Sequence, residues 1–144
     1  MLNSILNTID PDCLSFLQSG GQNLNSYVAD LLKYNLLAVG TFSGSLNMAA
    51  AITGTLGTNL DADAAAIVIN NSGAFFHGGL TVDNGQISGG TAKADVFILL
   101  HELGHALSAK GFQQDGPNAA NPGAGSDNDK LIDKNCSKTL NQFK

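Results

Sequence analysis

Several residue types are scarce or missing in this chain of 144 residues, and each shortage limits what the protein can do. Arginine and tryptophan are absent, charged residues make up 13% of the chain, and the formal net charge at pH 7 is −5. Because the chain is acidic and has no basic cluster, we expect neither nucleic acid nor an anionic membrane as a partner. No apolar run approaches the roughly 20 residues that span a bilayer.

Aromatic residues are also few, at 6% of the chain, although hydrophobic residues together reach 43%. The core must therefore be built mainly from small aliphatic side chains. A chain of this length can bury one substantial core but is too short for two ordinary domains, so we expect residues 1–144 to form a single domain. We also expect a monomer.

Glutamate and histidine are scarce too, and their placement is the main functional signal. The single glutamate, Glu102, follows His101 in the sequence HELGH, which ends at His105 and comes directly after the apolar residues 96–100. On a helix, residues four apart project from the same face, so both imidazoles can bind one zinc ion while Glu102 reaches a water on that ion. This pattern indicates a metal-assisted hydrolase with Glu102 as the general base.

The pattern of elements predicts an α+β fold. Apolar residues at helical spacing and capping residues predict helices at both ends of the chain and around HELGH. These predicted helices cover residues 2–9, 10–20, 25 or 26 to 36, 92–110 and 126–140. Asp10 is the predicted N-cap of the second helix. Thr91 is the predicted N-cap of the HELGH helix, and Gly111 is the expected left-handed residue after it.

Residues 37–90 are rich in glycine, threonine and β-branched residues, which predict a small, twisted and mostly antiparallel sheet. The predicted strands cover residues 38–43, 48–56, 65–70, 74–76 and 81–88. Asp83-Asn84-Gly85 within the last segment predicts a tight hairpin, because Asn-Gly tolerates the positive φ that such a turn needs.

The two cysteines, Cys13 and Cys136, lie near opposite ends of the chain. A disulfide between them would tie an N-terminal helix to the C-terminal helix and stabilise the fold by about 4 to 5 kcal/mol in the chain-entropy model. Two buried thiols are the alternative. The first residues carry no signal peptide, so we expect either a secreted or periplasmic protein whose signal has been removed, which we favour, or a cytosolic one.

With HELGH preceded by helices and a small sheet, the chain resembles the zincin metallopeptidases over about residues 37–110. This resemblance implies an HExxH active-site helix, a zinc cofactor and hydrolysis of peptide bonds in a protein or peptide substrate. Two subfamilies are excluded by their third zinc ligand. The metzincin pattern places glycine at 108 and a ligand at 111, where this chain has Ser108 and Gly111. Gluzincins use a downstream glutamate, and none follows Glu102.

Asp115 is the preferred third ligand, because it follows the HELGH helix by one short loop and can fold back toward the histidines. Its placement resembles that of the aspzincins, whose third ligand is an aspartate shortly beyond the second histidine. Their GTxDxxYG pattern is not reproduced: the segment from Gly111 to Asp115 has an extra residue and no tyrosine follows. Asp127, Asp129 and His77 remain alternatives, although the two aspartates are also explained as acids in the first turn of the last helix, Asp129 in a capping box. Asp133 is expected to face solvent.

Other roles are less specific. His77, Tyr27 and Tyr34 are candidates to stabilise the oxyanion, and residues 65–70 are a candidate strand for binding an extended peptide. The alternative function is a non-catalytic module of the same architecture that binds a partner, with its metal structural or absent. The presence of Glu102 favours the enzyme, because a structural site needs no general base.

Overall fold

The computed structural model describes residues 2–41, 49–53, 65–115 and 119–144; for residues 49–53 and 65 only the backbone is described. Within these residues the protein is α+β, as predicted. The helices are α1 (Leu2–Thr8), α2 (Pro11–Leu17), α3 (Leu24–Lys33), α4 (Ala92–Ala106) and α5 (Ala124–Leu140). The strands are β1 (Leu37–Gly40), β2 (Ala49–Thr53), β3 (Ala65–Asn70), β4 (Thr81–Val82) and β5 (Ile87–Ser88), with 3-10 turns at Gln18–Gly20 and Asp83–Gly85.

The two ends of the chain are joined through α2 and α5. Cys13 and Cys136 form a disulfide with a Cα–Cα distance of 4.5 Å, which decides between the two expectations for the cysteines. Asp10 caps α2 by accepting hydrogen bonds from the backbone of Asp12 and Cys13, and its other carboxylate oxygen accepts one from the Thr139 hydroxyl at 2.6 Å. The predicted N-cap therefore also anchors α2 to α5.

Helix α3 begins at Leu24, where Asn23 caps it by accepting from the Ser26 N–H at 3.0 Å, and ends earlier than predicted. Asn35 has a φ of +53°, and this left-handed residue turns the chain toward β1. Leu32 is exposed, because it lies at the edge of the buried stripe of this helix. That stripe consists of Leu24, Tyr27, Val28 and Leu31.

The sheet is mixed, in the order β1-β3-β2. β3 pairs in antiparallel with β2, but it pairs in parallel with β1, so the sheet is less antiparallel than expected. Parallel strands need a long connection, and here the chain from β1 to β3 includes β2. Because β3 is hydrogen-bonded on both sides, it has no free edge, and the prediction that residues 65–70 bind a peptide is wrong.

Between β3 and α4, the structure contains the predicted hairpin but not the predicted strand at residues 74–76. Residues 74–76 form turns rather than a strand, held by hydrogen bonds such as Gly90 N to Ala74 O at 2.7 Å. β4 and β5 form the predicted hairpin, with φ values of +52°, +51° and +89° at Asp83, Asn84 and Gly85. The other predicted strands, at residues 38–43 and 48–56, extend beyond the described residues.

Helix α4 is the central element, since it packs against β2 on one side and α5 on another. Thr91 caps it as predicted, accepting from the Ala94 N–H at 3.2 Å. It ends at Ala106 rather than Lys110, because Ser108 takes a φ of +52° and Gly20 lies against the last turn. A Cβ on Gly20 would lie 2.2 Å from the Ser108 carbonyl oxygen. None of the described helices has both the length and the apolar character of a membrane span.

Candidate metal centre

The two histidines of HELGH lie on one face of α4, as the sequence predicted. Their Nε2 atoms are 3.2 Å apart. His101 is almost fully buried, at 1% exposure, whereas the side chain of His105 is 17% exposed. The pair therefore sits at the boundary between the core and solvent, and a ligand can reach it from the His105 side.

Asp115 completes a group of three side chains. Its Oδ2 atom lies 3.0 Å from His101 Nε2 and 3.2 Å from His105 Nε2, and the three atoms could hold one metal ion. In a tetrahedral zinc site with zinc–ligand bonds of about 2.0 to 2.1 Å, neighbouring ligand atoms lie about 3.3 to 3.4 Å apart. The three atoms are thus close to the spacing that zinc requires, and they need to move apart by only a few tenths of an ångström.

Asp129 holds the other side of the His101 ring. Its Oδ1 atom lies 2.9 Å from His101 Nδ1. A carboxylate on the far nitrogen fixes the tautomer and orientation of a ligating imidazole and raises its basicity. Asp129 was predicted to form a capping box or to act as the third ligand, but α5 begins at Ala124, so Asp129 lies in its second turn with its side chain buried against His101.

Asn128, the neighbour of Asp129 on α5, fixes the loop that carries Asp115. Its amide donates to Asp115 Oδ2 at 3.1 Å and to the Gln113 carbonyl at 2.9 Å, while its own carbonyl accepts from the Gln113 N–H at 3.0 Å. Asn128 is fully buried. Sequence analysis gave no signal for this residue, because its partners lie 13 and 15 positions away and on a different element.

Phe112 covers the imidazoles from the side. Its ring centroid lies 5.6 Å from that of His101 and 5.1 Å from that of His105, edge-on in both cases. This position depends on Gly104, since a Cβ there would lie 2.4 Å from the Phe112 ring. The glycine of HELGH therefore makes room for an apolar wall that limits how far the histidine rings can rotate.

The hydrogen bonds among these side chains change the pKa values of His101 and Asp115. A carboxylate can only accept hydrogen bonds, so both nitrogens of His101 carry protons when no metal is bound. Burial opposes that charge, but hydrogen bonds to Asp115 and Asp129 outweigh it and raise the pKa of His101 to about 10. Burial also opposes the charge on Asp115, but the hydrogen bonds from His101 and His105 hold the pKa of Asp115 well below its usual value. A cation held at this point would replace the Nε2 proton, and the Nδ1–H bond to Asp129 would remain.

Glu102 is buried, at 3% exposure. Burial and the negative charge of Glu102 raise the pKa of Tyr27, so the two side chains are electrostatic neighbours. The Tyr27 phenol therefore stays protonated at neutral pH and can act as a hydrogen-bond donor beside Glu102.

The remaining candidates lie outside this group. His77 is an exposed loop residue whose Nε2–H donates to the Asn71 carbonyl at 3.1 Å. Asp127 pairs with Lys130 at 2.9 Å on the surface of α5. Tyr34 is exposed, and its hydroxyl accepts from Lys33. Asp133, predicted to face solvent, is half-buried and packs beside Asp83.

Comparison with known proteins adds no further identification. Neither a protein-family model, nor a curated protein, nor a solved structure matches this chain. The function is therefore argued from the geometry of the site.

Proposed function

We propose that this chain is a zinc-dependent peptidase of the zincin type, in which His101, His105 and Asp115 hold the zinc and Glu102 is the general base. The observation that carries the proposal is the convergence of three ligand atoms at about the spacing of a tetrahedral zinc site, with a carboxylate behind His101. Two imidazoles and one carboxylate suit zinc, which accepts both nitrogen and oxygen ligands.

Zinc held by His101, His105 and Asp115 would polarise a water molecule and lower its pKa to about 7. Glu102 takes a proton from the attacking water and returns it to the amine that leaves. The protonated phenol of Tyr27, beside Glu102, is our candidate to donate a hydrogen bond to the developing oxyanion. Asp129 and Phe112 hold the imidazoles in place during the reaction.

Access to the site supports a catalytic role over a purely structural one. The side chains of His105 and Asp115 are 17% and 26% exposed, so water and a substrate can approach the ligand atoms. Within the described sheet, β1 and β2 are the edge strands, and β2 is the one that packs against α4. We infer that an extended peptide pairs with the outer edge of β2.

The Cys13–Cys136 disulfide supports a location outside the reducing cytosol. We therefore propose that the protein is secreted or periplasmic and acts there on proteins or peptides.

The test compares the chain with its Glu102→Gln variant, both stripped of metal and reloaded with one equivalent of zinc. Bound zinc is measured by mass spectrometry of the metal, and cleavage is measured on an unfolded protein and a broad peptide pool. We expect equal zinc occupancy and a rate about 100- to 10,000-fold lower in Glu102→Gln, the usual contribution of a general base. Asp127→Asn, a surface change on α5, is the matched control and should cleave at the original rate.

Zinc at full occupancy without any cleavage that depends on Glu102 would contradict the peptidase and leave the partner-binding module as the better function. Absence of zinc binding by the unaltered chain would contradict both the cofactor and the enzyme.

A further inference from the structure

Asn128 on α5 contacts the proposed metal-ligating atoms without being one of the ligands. Its Nδ2 atom lies 3.1 Å from Asp115 Oδ2 and 3.5 Å from His105 Nε2. The side chain is fully buried, and a buried amide costs free energy unless its hydrogen bonds are made. Both ends of the Asn128 amide have partners, so this polar side chain is accommodated at the metal centre without that cost.

The backbone of Gln113 fixes which way the amide points. The Gln113 N–H donates to Asn128 Oδ1 at 3.0 Å, and the Gln113 carbonyl accepts from Asn128 Nδ2 at 2.9 Å. A backbone N–H can only donate and a carbonyl can only accept, so a flipped amide would lose both hydrogen bonds. One hydrogen of the NH₂ group therefore serves Gln113, and the other serves Asp115.

Asp115 gains from such a support because it lies on a loop, whereas the two histidines lie on α4. Its side chain is 26% exposed, and its contacts with His101, His105 and Asn128 all reach the same oxygen, Oδ2. A loop side chain that becomes fixed only when a ligand binds loses conformational freedom at that moment, which lowers affinity. A hydrogen bond from a buried residue removes part of this cost in advance.

We propose that Asn128 is a positioning residue, which selects Oδ2 of Asp115 as the metal-binding oxygen and holds it beside the histidines before the metal binds. This inference rests on the zinc site of the proposed function. A carboxylate oxygen has two lone-pair directions, so Asn128 can keep one while the cation takes the other. Because the amide is neutral, it holds the carboxylate without the positive charge by which a lysine or arginine would oppose the metal.

The experiment is a double-mutant cycle on the full chain, stripped of divalent ions, with zinc affinity measured by competition with a zinc-binding dye. We expect Asn128→Ser to weaken zinc binding about 10- to 100-fold, the usual contribution of a partner that orients a metal ligand. In a chain that also carries Asp115→Ala, the same change should weaken zinc binding by less than about threefold, because no carboxylate is left to position. Equal losses in the two backgrounds would show that Asn128 only supports the fold, and would overturn the proposal.

Asn135→Ser is the matched control, since it makes the same change on the same helix. The Asn135 amide donates to the Leu131 carbonyl within α5 at 2.8 Å. This variant should bind zinc as tightly as the unaltered chain does. A loss as large as that of Asn128→Ser would also overturn the proposal.

Should Asn128→Ser prove unfolded without zinc by circular dichroism, nuclear magnetic resonance of the unaltered chain gives the answer. The side-chain amide hydrogens of Asn128 should exchange slowly with solvent in the zinc-free protein, and their signals should shift with one equivalent of zinc. Rapid exchange, or signals that zinc does not shift, would overturn the proposal.

The outcomes separate this inference from the proposed function. Zinc affinity that does not depend on Asn128 overturns this inference alone. The expected coupling between Asn128 and Asp115, found together with no cleavage that depends on Glu102, supports this inference and overturns the peptidase. A chain that binds no zinc overturns both.

Discussion

Two clusters of aspartates meet on α5, one helical turn apart, and they differ in the groups that face the carboxylates. Asp129 on α5 lies against one nitrogen of the His101 imidazole, and Asp115 lies against the other. The hydrogen bonds from the histidines lower the pKa of Asp115. One turn later, Asp133 lies against another carboxylate, and the pKa of Asp83 rises to about 7. The comparison shows that the pKa of an aspartate falls beside an imidazole and rises beside another carboxylate, because burial strengthens attraction and repulsion alike.

Replacing one aspartate of each cluster should give the largest difference in zinc affinity. We expect Asp115→Asn to weaken zinc binding about 100- to 1000-fold, because zinc sites of four ligands bind with about 10 to 16 kcal/mol, or roughly 2.5 to 4 kcal/mol per ligand. Asp133→Asn should change zinc affinity by less than about threefold, since screening limits its effect at the zinc. Competition with a zinc-binding dye measures both. Similar losses in the two variants would show that the clusters form one site.

A smaller loss of zinc affinity is expected from a change at Asp129, which contacts His101 but is not one of the three proposed zinc ligands. Asp129→Asn keeps the shape but removes the charge that orients and polarises the imidazole. Such a change should weaken zinc binding about 10- to 100-fold. Asp127→Asn, two positions earlier and exposed, is the control and should leave zinc affinity unaltered. An Asp129→Asn variant with full zinc affinity would mean that the hydrogen bond does not support the metal centre.

The smallest expected effect is on the pH dependence of folding stability, and it comes from the Asp83–Asp133 pair. The folded chain raises the pKa of Asp83 from 3.8 to about 7, so it binds this proton more tightly than the unfolded chain does. The resulting stability is complete below about pH 4 and is lost as pH rises through 7. In zinc-loaded protein free of other divalent ions, Asp83→Asn should therefore reduce the loss of stability between pH 5 and pH 8 by about 2 kcal/mol.

Thermal unfolding at the two pH values measures this difference, which corresponds to roughly 5 °C in Tm for a chain of this size. The variant should be the more stable protein at pH 8 and close to the original at pH 5. An equal shift at both pH values would indicate a change in packing rather than the removal of a titrating group.

Local features were the ones that sequence patterns predicted correctly. The caps at Asp10 and Thr91, the turn at Asn84-Gly85 and the spacing of His101 and His105 all depend on residues within a few positions of one another. Capping, turn conformation and helical periodicity are set by near neighbours in the chain, so the pattern alone suffices.

Features that join distant segments were predicted less well. Residues 74–76 were predicted as a strand and form turns, because backbone contacts with Gly90 replace strand pairing. The parallel pairing of β1 with β3 and the burial of Asp133 beside Asp83 were also missed. For Cys13 and Cys136 the sequence left two outcomes open, and the structure has the disulfide across 123 positions.

The sequence by itself determined that two histidines and a glutamate share a buried helix, because this depends only on the helical repeat and on the apolar residues around it. Tertiary structure decided which carboxylates meet those histidines: it brings Asp115 to one nitrogen of His101 and Asp129, 28 positions away, to the other. That choice depends on how α5 packs against α4, and packing between distant segments is set by the whole core rather than by any local pattern.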